Sequence, residues 1–101
     1  MPGYKVILSW DIAPEHEQEY FEFVVREFIP GVQKLGFELT DAWATIYGDQ
    51  PQIMVGAELP SLKDVQKTLN SNEWISLTNT LQMYVENYNL KVAESHGGFQ
   101  F

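Results

Sequence analysis

Cysteine is absent from this 101-residue chain. That removes disulfides, thiolate nucleophiles and cysteine-ligated metals, and it fits a reducing compartment, so a cytoplasmic location is expected. Histidine is scarce: His16 and His96 are the only two, too few for an all-nitrogen metal site. Cations are scarce as well, with 6 Lys and Arg against 14 Asp and Glu and a net charge of -8. Phosphate backbones and anionic lipid repel a chain this acidic, so neither nucleic acid nor a membrane is an expected partner. No apolar run approaches the ~20 residues of a membrane-spanning helix. Met1-Pro2-Gly3-Tyr4-Lys5 leads directly into a strand pattern, and no signal peptide is expected. No glycine-rich loop joins a strand to a helix, since Gly97-Gly98 stands in the tail. No Ser, His and Asp fall in an order that supports nucleophilic catalysis.

What is plentiful is aromatic and apolar. Hydrophobic residues make up 45% of the chain, aromatics 14% and charged residues 20%, enough for one domain with one core. Residues 1–95 read as that domain and 96–101 as a tail, whose Phe99 and Phe101 either fray or dock on a partner. The first strand organises the rest. Tyr4, Val6, Leu8, Trp10 and Ile12 alternate with Lys5, Ile7, Ser9 and Asp11. Ile7 and Ser9 keep the second face from being fully polar, so this strand belongs inside a sheet.

Ala13-Pro14-Glu15 is a helix start, with Glu15, Glu17 and Glu19 where the helix dipole favours negative charge. Phe21, Val24, Val25, Phe28, Val32 and Leu35 trace one apolar stripe. Pro30 predicts a kink or split near Phe28, and Gly36 a stop. Strand two runs from Phe37 to Tyr47, with Phe37, Leu39, Asp41, Trp43, Thr45 and Tyr47 on one face. Gly48-Asp49-Gln50-Pro51 is turn chemistry, and strand three returns from Gln52 to Leu59. Ser61 and Asp64 resemble a capping box. Leu62, Val65 and Leu69 give a short helix, and Asn70 or Ser71 caps a second, carrying Trp74, Leu77, Thr78 and Leu81. The last strand, from about Tyr84 to Ala93, sets Glu86, Tyr88, Leu90 and Val92 against Val85, Asn87, Asn89 and Lys91.

The order β-α-β-β-α-β predicts an α+β, ferredoxin-like fold: a four-stranded antiparallel sheet with its helices on one face. The rows Val6, Leu8, Trp10 and Ile53, Val55, Ala57 go under the helices. Ile7, Ser9, Asp11, Trp43, Thr45, Tyr47, Met54, Glu58, Asn87 and Asn89 then share the other face. The inverse assignment stays open, because both faces carry aromatics. Water is a poor cover for such a patch, and a second copy of the same sheet would cover it by symmetry.

The element order, the Ile29-Pro30 break before Leu35-Gly36-Phe37, and the segment Leu69-Asn70-Ser71-Asn72-Glu73-Trp74 together resemble the dimeric α/β-barrel superfamily. That group includes the antibiotic-biosynthesis monooxygenases, the NIPSNAP and EthD types and the heme-degrading monooxygenases. The resemblance implies a homodimer whose two sheets close into a barrel, with a pocket on the sheet face away from the helices. It implies no heme here, since Thr68 and Thr78 stand where heme-degrading relatives carry a Trp and an iron-ligating His. No other cofactor is called for.

Of the chemical candidates, His16 and Glu19 read as surface residues in preference to a two-ligand metal site. Asp11, Asp41 and Glu58 read as strand-end charges in preference to buried acids or bases. Ser9, Trp43, Tyr47 and Asn89 are the candidate pocket, with Tyr47 and Asn89 as hydrogen-bonding groups for a small aromatic or apolar ligand. Two functions follow. One is a homodimer that binds such a molecule, with cofactor-independent monooxygenase or isomerase chemistry as its reaction. The other is a non-catalytic interaction module whose sheet face is filled by its dimer partner.

Overall fold

The computed structural model describes residues 3–47 and 50–94. Gly48 and Asp49 of the expected turn, and the expected tail with His96, Phe99 and Phe101, lie outside the described residues. The strands are β1 (Tyr4–Ile12), β2 (Glu38–Tyr47), β3 (Gln50–Leu59) and β4 (Val85–Glu94). The helices are α1 (Glu17–Phe23), α2 (Ile29–Lys34), α3 (Leu62–Leu69) and α4 (Asn72–Gln82). All strand pairs are antiparallel and the order is β2-β3-β1-β4. This is the ferredoxin-like sheet, and β1 occupies the interior position its sequence predicts.

Val6, Leu8, Trp10 and Ile12 of β1, with Ala57 and Leu59 of β3, meet Tyr20, Phe23, Phe28, Val32, Val65, Trp74 and Leu81 from the helices in one core. The helices therefore lie on the face that carries the cleaner apolar rows. The smallest extent of the molecule is 18 Å, room for one sheet and one layer of helices. Ser61 and Ser71 cap α3 and α4, their hydroxyls accepting from the amides of Asp64 and Trp74. Ser61 also donates its hydroxyl to the Asp64 carboxylate at 3.0 Å, so the reciprocal bond runs to the serine side chain and not to its backbone amide as in the expected capping box.

Three local irregularities shift side chains away from where simple periodicity puts them. The first lies between α1 and α2, where the chain continues through a π turn, Val24–Phe28, and the Ile29 amide donates to the Val24 carbonyl five residues back. Pro30 has no amide to offer, and the helix responds by widening one turn. The wider turn changes the phase of the apolar stripe. Tyr20, Phe23, Phe28 and Val32 are buried, whereas Phe21 and Val25, expected in the stripe, are 53% and 66% exposed.

The second is a shift of β2 register between Leu39 and Asp41. Leu39 pairs with Ala57 and packs on the core, while Asp41 and Trp43 pair with Gly56 and Met54 on the other face. The single face expected for Leu39, Asp41 and Trp43 is thus divided by a bulge. The third is a shift between β1 and β4 after Ser9. Asn87 takes a φ of 56°, a left-handed conformation that Asn tolerates better than most residues. Val85 consequently joins the core together with Tyr88 and Leu90, and not the face of Asn87 and Asn89 as its parity predicts.

Candidate functional site

A cavity of about 360 Å³ opens between the first helix and the edge of the sheet at β2 and β3. Tyr20, Val24, Phe28, Ile29 and Val32 form its helical wall. Trp10, Leu39, Ala42, Ile53 and Val55 form its sheet wall, and Thr40 and Asp41 of the bulge complete it. Its origin is visible in the sequence elements already described. Ala42 offers only a methyl group to the helix layer, the bulge at Thr40 bends the strand, and the π turn displaces the wall opposite. Nearly all of the lining is apolar, as in small-molecule sites generally. Two larger clefts, of about 520 and 610 Å³, border the end of α2 and the start of α4. Both are wider open, and Lys34 and Glu73 belong to both.

Tyr20, with Thr40 and Asp41, brings polar groups to a wall that is otherwise apolar. Trp10 Nε1 donates to the Tyr20 hydroxyl at 2.9 Å, while Trp10 and Tyr20 are 1% and 3% exposed. Burial pushes the Tyr20 phenol above its usual pKa, and the Trp10 bond offsets part of that rise. Trp10 is further enclosed edge-on by Phe28, at a ring separation of 6.0 Å, and face-on by Tyr88 at 6.5 Å. Burial pushes the Tyr88 phenol up to about 12. Both tyrosines are therefore neutral at ordinary pH.

Of the residues that the sequence singles out, Ser9, Trp43 and Asn89 lie on the opposite face of the sheet. Trp43 pairs with Met54, Met54 with Ser9, and Ser9 with Asn89. These four form a single row across all four strands, so Ser9, Trp43 and Asn89 are brought together. The side chain of Tyr47 lies outside the described residues. Ser9, Trp43 and Asn89 do not line the cavity under the helices. Trp43 and Met54 are 43% and 38% exposed. Periodicity treats Trp10 and Phe28 as core filling, leaves Tyr20 off the apolar stripe, and so misses the cavity. The signal that could have pointed there is Pro30, which announces a distorted helix.

Beside that row, Lys5 Nζ meets Asp41 Oδ2 at 2.6 Å, and the pair is nearly buried on a sheet face. Gly56 makes room for it: a Cβ at that position would come within 3.1 Å of Asp41 Oδ2 and 3.4 Å of Lys5 Cε. Thr40 also donates to Asp41, at 3.1 Å. Asp41 is thus a pinned partner and not a strand-end charge in free solution. Asp11 accepts from Asn87 Nδ2 at 2.7 Å. His16 Nδ1 lies 3.5 Å from Glu19 on the surface. Among the described residues no three His, Asp or Glu side chains cluster as metal ligands.

A NIPSNAP family protein of Agrobacterium tumefaciens superposes on the chain with a TM-score of 0.71 at 19% identity, over 94% of this chain and 87% of that one. A conserved protein of unknown function from Bacteroides thetaiotaomicron, described as a possible oxidoreductase, reaches 0.69 at 9% identity, over 92% and 97%. An antibiotic biosynthesis monooxygenase reaches 0.64 at 14% identity, over 94% and 98%. The chain has the NIPSNAP and antibiotic-biosynthesis-monooxygenase fold. No protein-family model matches the sequence, and no curated protein is significantly similar to it. At these identities the likeness covers the fold alone.

Within the NIPSNAP-like fold, Thr78 turns its hydroxyl onto the Trp74 carbonyl of its own helix at 3.0 Å, and Thr68 is buried. Both are packing residues. Among the described residues no helix is long and apolar enough to cross a membrane.

The Lys5–Asp41 pair carries a pH signature. The hydrogen bond from Lys5 holds the Asp41 carboxyl below its ordinary value of 3.8, against the opposing effect of burial. A depressed folded-state pKa stabilises above the unfolded value and loses that contribution as pH falls through the folded one. The difference in urea midpoint between wild type and Lys5→Met is therefore expected to be largest near neutrality and to shrink below pH 3.8. A difference that stays constant down to acid pH would refute this role for the pair.

Proposed function

We propose that this protein binds a small apolar or aromatic molecule in the cavity between its first helix and its sheet, and that it does so as a homodimer. The observation that carries the reading is the cavity itself: about 360 Å³, within the size range of ligand sites, walled by side chains from a helix that has given up regular geometry at that point. π turns of this kind are frequent at functional sites. The row Trp43, Met54, Ser9 and Asn89 supports the second half of the reading. It presents two exposed large apolar side chains on the sheet face that the described helices leave open, and a second copy would bury them.

Cofactor-independent oxygenation or isomerisation is the chemistry that such a cavity would suit, since it needs an apolar enclosure and one neutral hydrogen-bonding group. The possible-oxidoreductase and monooxygenase descriptions of two structural neighbours point the same way. A second reading keeps the ligand between the paired sheets, over Ser9, Trp43 and Asn89, and the exposed indole of Trp43 favours it.

The test uses two-ring aromatics such as 2-acetylnaphthalene, titrated by calorimetry. Ala42 is exposed and lines the cavity, so Ala42→Trp fills it from the solvent side. Affinity is expected to fall at least tenfold, about 1.4 kcal/mol, with the thermal midpoint little changed. Undiminished binding by Ala42→Trp would place the ligand elsewhere and favour the space between the sheets.

A further inference from the structure

We infer that Tyr20 is the specificity-determining donor of the cavity, and that the ligand is an uncharged, planar, largely apolar molecule with a carbonyl oxygen directed at the Tyr20 hydroxyl. This rests on the cavity being the binding site. The direction of the existing hydrogen bond carries the argument. An indole N–H can only donate, so in the 2.9 Å contact with Trp10 Nε1 the Tyr20 oxygen is the acceptor. The phenolic proton is then left over, and among the described residues nothing accepts it. Tyr20 is 3% exposed and lines the cavity. A buried hydroxyl proton with no acceptor costs free energy that a ligand oxygen would recover.

Charge narrows the class further. Among the described residues no Lys, Arg or His lines the cavity, and the carboxylate of the lining residue Asp41 is held by Lys5 on the other face of the sheet. An anionic ligand would meet no counter-charge in a chain of net charge -8, so a neutral carbonyl is favoured over a carboxylate. The Trp10 bond consumes the acceptor capacity that an amine or alcohol donor would use. The rise in the Tyr20 pKa acts in the same sense, since it keeps the phenol protonated as a donor.

The experiment compares 2-acetylnaphthalene with 2-isopropenylnaphthalene, which replaces C=O by C=CH2 at nearly the same shape. Both are titrated into wild type and Tyr20→Phe. The preference for the ketone is expected to fall about tenfold in the variant, the effect of one hydrogen bond at a buried site. The infrared carbonyl band of the bound ketone is expected at lower frequency than in hexane for wild type, and at the hexane position for Tyr20→Phe. Should that variant fail to fold, the wild-type band decides alone. An unshifted band, or an unchanged preference while both compounds bind, overturns the assignment to Tyr20 and leaves the cavity reading standing. Absence of binding by both compounds, or binding that Ala42→Trp does not weaken, overturns the cavity reading and this inference with it.

Discussion

Trp10→Ala is expected to cost about 3–5 kcal/mol of stability, the range for removing a large aromatic from a core. The Trp10 side chain joins the interior strand to the first helix and to β4. It sits at 1% exposure on the interior strand. Its ring is held by Tyr20 and Phe28 from the first helix and by Tyr88 from β4. Its truncation would leave the Tyr20 hydroxyl without its donor as well as opening a void. In a domain of this length each kcal/mol moves the thermal midpoint by about 4–8 °C, so the variant should melt tens of degrees early. Urea titration at 25 °C gives the direct measure. A loss below about 1 kcal/mol would mean that the core is held elsewhere, by Trp74 and the α4 contacts, and that the ring cluster around Trp10 is incidental.

Trp43→Asp is expected to split the proposed dimer while sparing the fold. A central aromatic at an interface contributes 2 kcal/mol or more when removed, which raises the dimer dissociation constant by about 30-fold or more. The new carboxylate would also stand on a face that already carries Asp11, Asp41 and Glu58. Because Trp43 is 43% exposed in the single chain, its loss should leave far-ultraviolet circular dichroism and the low-concentration melting point nearly unchanged. Sedimentation velocity over a micromolar concentration series reads the outcome. If the wild type itself sediments as a stable, well-folded monomer at these concentrations, the pairing of sheets is wrong, and so is the second reading of the ligand site.

The strands and helices were legible because each obeys a local period. The alternation from Tyr4 to Ile12 predicts the interior strand. Ser61 before Leu62, and Asn70 or Ser71 before Asn72, predict the two helix starts, and the structure assigns the second cap to Ser71. The order of elements predicts the ferredoxin-like sheet, and the apolar rows predict which face the helices cover. Errors gather where one residue was inserted or one hydrogen bond was missing. The stripe through Phe21 and Val25 fails because Pro30 lengthens the turn before it. Leu39 and Val85 fall on the unexpected face because a bulge reverses the parity of everything beyond it. A period is a property of neighbours along the chain, and it cannot register a slip that is stabilised by contacts from another strand.

Composition alone determined that this chain has no thiol chemistry and no disulfide, since those follow from which groups are present at all. Local sequence determined the elements and favoured one face for the helices, since those follow from the spacing of apolar side chains; the structure decided between the two faces. The cavity was decided only by the tertiary structure. It exists because a small residue on β2, a bulge beside it and a widened helical turn more than ten residues away come to lie opposite one another. Likewise, only the assembled fold could set Trp10 to donate to Tyr20, or place Lys5 over a glycine to reach Asp41. Each of those arrangements depends on distances across the sheet, and the linear order of residues does not contain them.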